Sequence, residues 1–187
     1  MKQYYLLKQR VTGQPPSVRL AEKYVEDMVT TQPWFLTPLG QVITVLANLK
    51  LDSKGEIRDL SKKVNKFGKE YYCIESNNYP LPDGGKTKYE ILKKLHSKDH
   101  VYEIRIKIKN GHNDKLNCRI LMTINYKKPY FVWTYGFTKQ KNIFWYGNMK
   151  VNKLTDVLAT VSHRVFNAIN LENDEEYIGK VGERNEV

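Results

Sequence analysis

The chain has 187 residues, 41% hydrophobic and 27% charged, so it can bury a core without disulfides or metal. Its net charge is +11, and because residues 171–187 carry −4 of their own, residues 1–170 hold +15. Two cysteines without CxxC spacing exclude a disulfide framework, and no apolar run reaches the ~20 residues of a membrane span or resembles a signal peptide.

A reducing cytoplasm is the expected compartment. Charge of this size repels itself in a compact state unless a partner offsets it, and nucleic acid is the usual partner. In chain order, Ser17 is placed to cap a helix over residues 17–29. Val18, Ala21, Tyr24, Val25 and Met28 fall on one face of it, and Pro33 ends it. Thr37 and Pro38 open a second helix with Leu39, Val42, Ile43 and Leu46 at helical spacing. Ser53 opens a third, with Ile57, Leu60, Val64 and Phe67 on one face. Residues 77–85, rich in Asn, Pro and Gly, read as a loop, and residues 88–95 as a short helix or turn.

The period then changes from helical to alternating. Tyr102, Ile104, Ile106 and Ile108 alternate with Glu103, Arg105, Lys107 and Lys109, which predicts a half-buried strand over 101–109. Residues 110–114 are a turn, and 118–126 alternate again. Residues 130–137 are almost wholly aromatic and β-branched, which predicts a central strand. A helix over 152–169 carries Leu154, Val157, Leu158, Val161, Val165 and Ile169 as its apolar stripe. The expected fold class is α+β: N-terminal helices packed on a small antiparallel sheet, closed by a C-terminal helix. Residues 1–170 form one domain, and 171–187 an acidic, mobile tail.

The chemistry concentrates in residues 115–155, which hold eight Lys or Arg, no Asp or Glu, and nine aromatics. Cations neutralise phosphates and aromatic faces stack on unpaired bases. Phe131, Trp133 and Tyr135 are read as core, whereas Trp145 and Tyr146, beside Lys139 and Lys141, are read as surface. Arg105, Lys107 and Lys109 share a strand face, and Arg119 joins them from the next strand. That face is expected to be exposed, so truncating Arg119 would change stability by no more than about half a kcal/mol. His96 and His100 flank the start of the cationic strand, and His163 is read as structural. HExxH, Cys/His clusters, GxGxxG, GxxxxGK[ST] and GxSxG are absent, so no metal or cofactor is expected.

Three ordered pieces resemble the HigB-like branch of the RelE/HigB/ParE toxin superfamily. They are Val101-Tyr102-Glu103-Ile104-Arg105, then Cys118-Arg119-Ile120-Leu121, then Tyr135-Gly136-Phe137-Thr138-Lys139-Gln140. The third has Tyr where the family has His, and Gln for its second Lys, which Lys141 can supply. The likeness covers residues 93–142, and the N-terminal half is longer than the family's two-helix lead. The resemblance implies a toxin of a type II toxin-antitoxin system, held by an antitoxin partner. It implies metal-free cleavage of mRNA on the ribosome. Such cleavage needs the 2′-OH to lose a proton, cations to hold the charge on the phosphoryl oxygens, and an acid for the leaving 5′-oxygen. Arg105, Arg119 and Lys139 are then the transition-state stabilisers. Tyr146, or else His96 or His100, transfers protons, and Lys107, Lys109, Lys141 and Trp145 bind RNA. Two rivals stay open: a non-catalytic nucleic-acid-binding protein of a phage or plasmid, and a protein–protein inhibitor, gyrase-directed or other, that grips an acidic partner.

Overall fold

The computed structural model describes residues 3–7, 18–110, 114–128, 130–139, 145–146, 149–172 and 178–180. Its centre is a nine-stranded sheet, built around three consecutive antiparallel strands: β6 (Tyr102–Asn110), β7 (Asp114–Asn125) and β8 (Tyr130–Lys139). The alternation over 101–109 sets β6, and turns at either end of β7 reverse the chain. Residues 130–137 of β8 are all buried, as a strand covered on both faces requires.

Beyond β8 the sheet continues with β1 (Gln3–Leu7), which is parallel to it, and β11 (Ile178–Lys180), which is antiparallel to β1. The short β2 (Arg19–Leu20) pairs with the second half of β8. On the other side β6 is followed by β5 (Lys86–Lys94), β4 (Glu70–Pro80) and β3 (Ser61–Val64). The sheet is therefore large and mixed, which corrects the expectation of a small antiparallel one. Part of the segment read as a mobile acidic tail is strand β11.

Three readings account for the difference. The third helix does not form. Asp52 Oδ1 accepts from the backbone N–H of Lys54 and Glu56, both at 2.8 Å, and Gly55 takes a φ of 79°. Asx turns of this kind compete with helix, and glycine lowers helix propensity by about 1 kcal/mol. The chain goes on to form the β3–β4 hairpin. Residues 77–80, read as loop, remain in β4, and the turn is confined to 81–85, where Gly84 has a φ of 80°. Residues 88–95, read as helix or turn, belong largely to β5, which pairs with β4 and with the start of β6.

Helices lie on both faces. α1 (Ala21–Thr31) and α2 (Leu36–Ala47) cover one face, where Tyr24, Met28, Leu39, Val42 and Leu46 pack on Ile104, Ile106, Cys118, Ile120 and Met122. α3 (Val151–Asn167) covers β7 and β8 from the other, with Leu154, Leu158, Val161 and Val165 on Leu121, Val132, Tyr135 and Phe137. A two-stranded ribbon of β9 (Trp145–Tyr146) and β10 (Met149–Lys150) leads into α3. No helix among the described residues is long and apolar enough to cross a membrane.

Close contact with α1 explains Gly136. A Cβ there would overlap the ring of Tyr24, whose hydroxyl shares a 2.8 Å hydrogen bond with Thr138 Oγ1. Gly136→Ala is expected to destabilise the fold by about 1–3 kcal/mol through overpacking. Urea denaturation reads this directly, and an unchanged midpoint would mean that Tyr24 does not lie on the strand.

Burial pushes the phenols of Tyr24, Tyr79 and Tyr102 far above the ordinary value of 10.0. Their folded values are raised, so the stability they contribute is complete below pH 10 and is lost as pH rises beyond it. Phenolate absorbance from these three should appear above pH 10, in a cooperative step that coincides with loss of circular dichroism. Full ionisation with the dichroism intact would contradict this burial.

Candidate nucleic-acid interface

Residues opposite each other in an antiparallel pair share a face. Arg105 lies opposite Arg119, Lys107 opposite Asn117, Asn117 opposite Lys139, and Lys93 opposite Glu103. Arg105, Lys107, Arg119 and Lys139 are thus on one face, as the alternation predicts. It is the face that α3 covers at β7 and β8. Toward β3 it carries charged and polar side chains, because Tyr71, Glu75, Glu90 and Lys63 join it from β4, β5 and β3.

This face is a lattice of ion pairs rather than a row of bare cations. Arg119 is only 5% exposed and Glu103 8%, which corrects the expectation of an exposed arginine. Arg119 Nε is 3.5 Å from Glu103 Oε1, and its Nη1 donates to the carbonyl of Cys118 at 2.9 Å. Arg105 pairs through Nη1 with Glu90. Its Nε is 3.5 Å from Glu103 Oε2 but makes no hydrogen bond there. The Tyr71 hydroxyl donates to Glu90 at 2.6 Å, and Lys93 Nζ stands 4.8 Å from the Tyr71 ring. Glu75 is held by Lys63 and, at 3.0 Å, by Lys88. The set holds seven cations (Lys63, Lys88, Lys93, Arg105, Lys107, Arg119, Lys139) and three carboxylates (Glu75, Glu90, Glu103). Among the described residues, the cations named on this face outnumber the carboxylates named.

Where β5 leaves β6, a side chain replaces the missing strand. The two pair only from Leu92 to Lys94. Beyond that point the Tyr79 hydroxyl donates to the carbonyl of Lys107 at 3.0 Å and accepts from its N–H at 2.8 Å. Lys107 Nζ leans across the gap to 5.9 Å from the Tyr89 ring.

The titrating groups fit anion binding better than acid–base work. The Glu90 hydrogen bond, followed by burial, pushes the Tyr71 phenol up to about 12, so it is a poor base. Lys63 holds the Glu75 carboxyl below its usual range. Burial lowers the ammonium of Lys139, and Arg119, Arg105 and Lys93 lower it further against the opposing pull of Glu103.

The remaining expected residues are not brought to this face. Trp145 and Tyr146 form β9, outside the main sheet, and their side chains lie outside the described residues. Lys109 is in β6 opposite Lys115, with its side chain likewise undescribed, and Lys141 lies outside the described residues altogether. His96 is exposed in the β5–β6 turn. His100 is five residues before Arg105 along extended chain, on the order of 15 Å away. It stacks on Phe166 of α3 at 4.3 Å, with Nδ1 3.4 Å from Glu56. His163 Nδ1 is 3.0 Å from the carbonyl of Asp99, so it ties this turn to α3. Among the described residues no three His, Cys, Asp or Glu side chains gather as a metal site.

Sequence reading missed Tyr71, Glu75, Glu90 and Lys93. Their signal was the period-two pattern of 70–76 and 86–91, which puts Tyr71, Cys73 and Glu75 on one side. The chain matches no family model, no curated protein and no solved structure. The likeness to RelE/HigB toxins therefore stands on its three motifs alone.

Arg119→Met should cost about 3 kcal/mol, because it strips a counterion from the buried Glu103. Adding Glu103→Gln to it should recover part of that loss, a coupling that a double-mutant cycle measures. Strictly additive losses would mean that the pair is not an energetic unit.

Proposed function

We propose that the chain binds RNA, with the charged face of β3–β8 as the surface that meets the phosphate backbone. The observation that carries this reading is that, among the described residues, seven cations and three carboxylates share one continuous sheet face. The net charge of +11 supplies the long-range attraction. The motifs that resemble RelE/HigB toxins add the finer reading: a cytoplasmic toxin that meets mRNA on the ribosome and is held by an antitoxin.

Cleavage is a second reading, favoured by Lys139. An ammonium destabilised by burial and by two arginines gives up its proton more readily than an ordinary lysine. It sits one strand from Arg119 and two from Arg105, the groups suited to holding charge on a phosphoryl oxygen.

The test is titration of a labelled single-stranded oligoribonucleotide at several salt concentrations. Wild type should bind with affinity that falls steeply with salt, as counterion release requires. The triple variant Lys93→Gln/Lys107→Gln/Lys139→Gln should bind at least ~10-fold more weakly, and its salt slope should be shallower by about 2. Wild type that fails to bind at low salt would sink the reading, as would a variant that binds like wild type.

A further inference from the structure

The β3–β4 hairpin ends in a turn that holds an aromatic ring out in water. Phe67 is 75% exposed, more than any other large hydrophobic among the described residues. The backbone beneath it is fixed. Asn65 Oδ1 accepts from the N–H of Phe67 at 2.8 Å and of Lys69 at 3.1 Å. Asn65 N donates to the Lys69 carbonyl at 2.9 Å, and Gly68 N to the Asn65 carbonyl at 3.0 Å. Gly68 closes the turn with a φ of 75°. Nearby, Val64 and Tyr72 are also exposed.

The surroundings are basic. Lys66 Nζ stands 4.9 Å from the Phe67 ring. Lys62, Lys63, Lys66 and Lys69 flank the tip, and its one acid, Glu70, is bonded to Lys62 at 2.6 Å. An exposed ring on a rigid turn loses little entropy when something flat stacks on it. Lysines beside it suit a polyanion.

We propose that this hairpin tip is a second RNA contact that takes unpaired bases, with Phe67 and Tyr72 stacking on them and Lys66 and Lys69 at the flanking phosphates. The proposal rests on the RNA-binding reading above and narrows its substrate to single strands, because duplex bases are already stacked on each other. A protein partner fits less well. Two rings and a valine fall far short of the ~800 Å² per side of a stable interface. Strand addition by a second copy would set Lys62 and Lys63 against their own kind on a four-residue edge.

The experiment compares a labelled, unstructured oligoribonucleotide with a duplex of the same strand, against wild type, Phe67→Ala/Tyr72→Ala and Phe67→Trp. Wild type should prefer the single strand. The double alanine variant should lose at least ~10-fold on it, about one ring's worth of stacking, and little on the duplex. Its salt slope and melting temperature should match wild type, since phosphate contacts and core are untouched, and Phe67→Trp should keep full affinity. Equal losses on both ligands, or no loss, would overturn the stacking role and leave RNA binding standing. Wild type that binds neither ligand would remove the RNA reading and this one with it. Self-association in sedimentation, abolished by the alanines with RNA affinity unchanged, would assign the tip to a second copy and overturn the proposal.

Discussion

Strand β8 is covered on both faces, and the other elements take their places from that constraint. α1 lies on one side of it and α3 on the other. Thr134, buried in this strand, must find its hydrogen bonds within the fold. Thr134 does so by donating to the Leu121 carbonyl at 3.2 Å, across an irregularity in the β7–β8 register, and by bonding Ser162 of α3 at 2.7 Å. At the far end two buried asparagines tie the β7–β8 hairpin to residues 168–172, which continue from α3. Asn170 donates to the Ile124 carbonyl at 2.9 Å, and Asn125 to that of Ile169 at 3.2 Å. Each would cost a few kcal/mol if left unsatisfied, so together they fix where the helix sits.

The position of α3 decides the character of the charged face. Over β7 and β8 the face is apolar, because Leu121, Val132, Tyr135 and Phe137 meet the helix there. Next to them come Arg119 and Arg105, directly opposite each other with Cα atoms about 5 Å apart. Two guanidinium groups at such spacing beside an apolar layer repel strongly, since the local dielectric is low. Glu103 and Glu90 remove that cost. The carboxylates are the condition for placing two arginines side by side on a sheet.

The legible and illegible parts of the fold differ in the range of interaction that decides them. β6, β7, β8 and the three helices follow from local pattern, clean alternation and apolar stripes at helical spacing, although α1 begins at Ala21 rather than residue 17 and Val18 packs in the core beneath α3 instead. Ile57, Leu60, Val64 and Phe67 also recur at helical spacing, yet Ile57 is buried while Val64 and Phe67 are exposed. Their spacing was coincidental, and the Asx turns at Asp52 and Asn65 were the stronger local signal. The site divides in the same way. That Arg105, Lys107 and Arg119 share a face is a matter of period and of one turn. That Glu90 neutralises Arg105 depends on the β5–β6 register, and the burial of Arg119 depends on the helix above the next strand. β1 and β11 join through pairings between distant parts of the chain, which no local pattern announces.

The cations divide by residue type in a way their chemistry explains. The two arginines are held deepest. A planar guanidinium can serve two carboxylates at once and is weakly hydrated, so it tolerates burial. Lysines stand around them, where a strongly hydrated ammonium can keep its water. A phosphate backbone approaching this face therefore meets Lys63, Lys88 and Lys93 before it meets either arginine. Lys139 is the exception, a lysine drawn far enough inward that burial and Arg119 lower its affinity for a proton. In the RNA-bound state proposed above, a phosphate beside Lys139 would favour its charged form, in the same direction as Glu103.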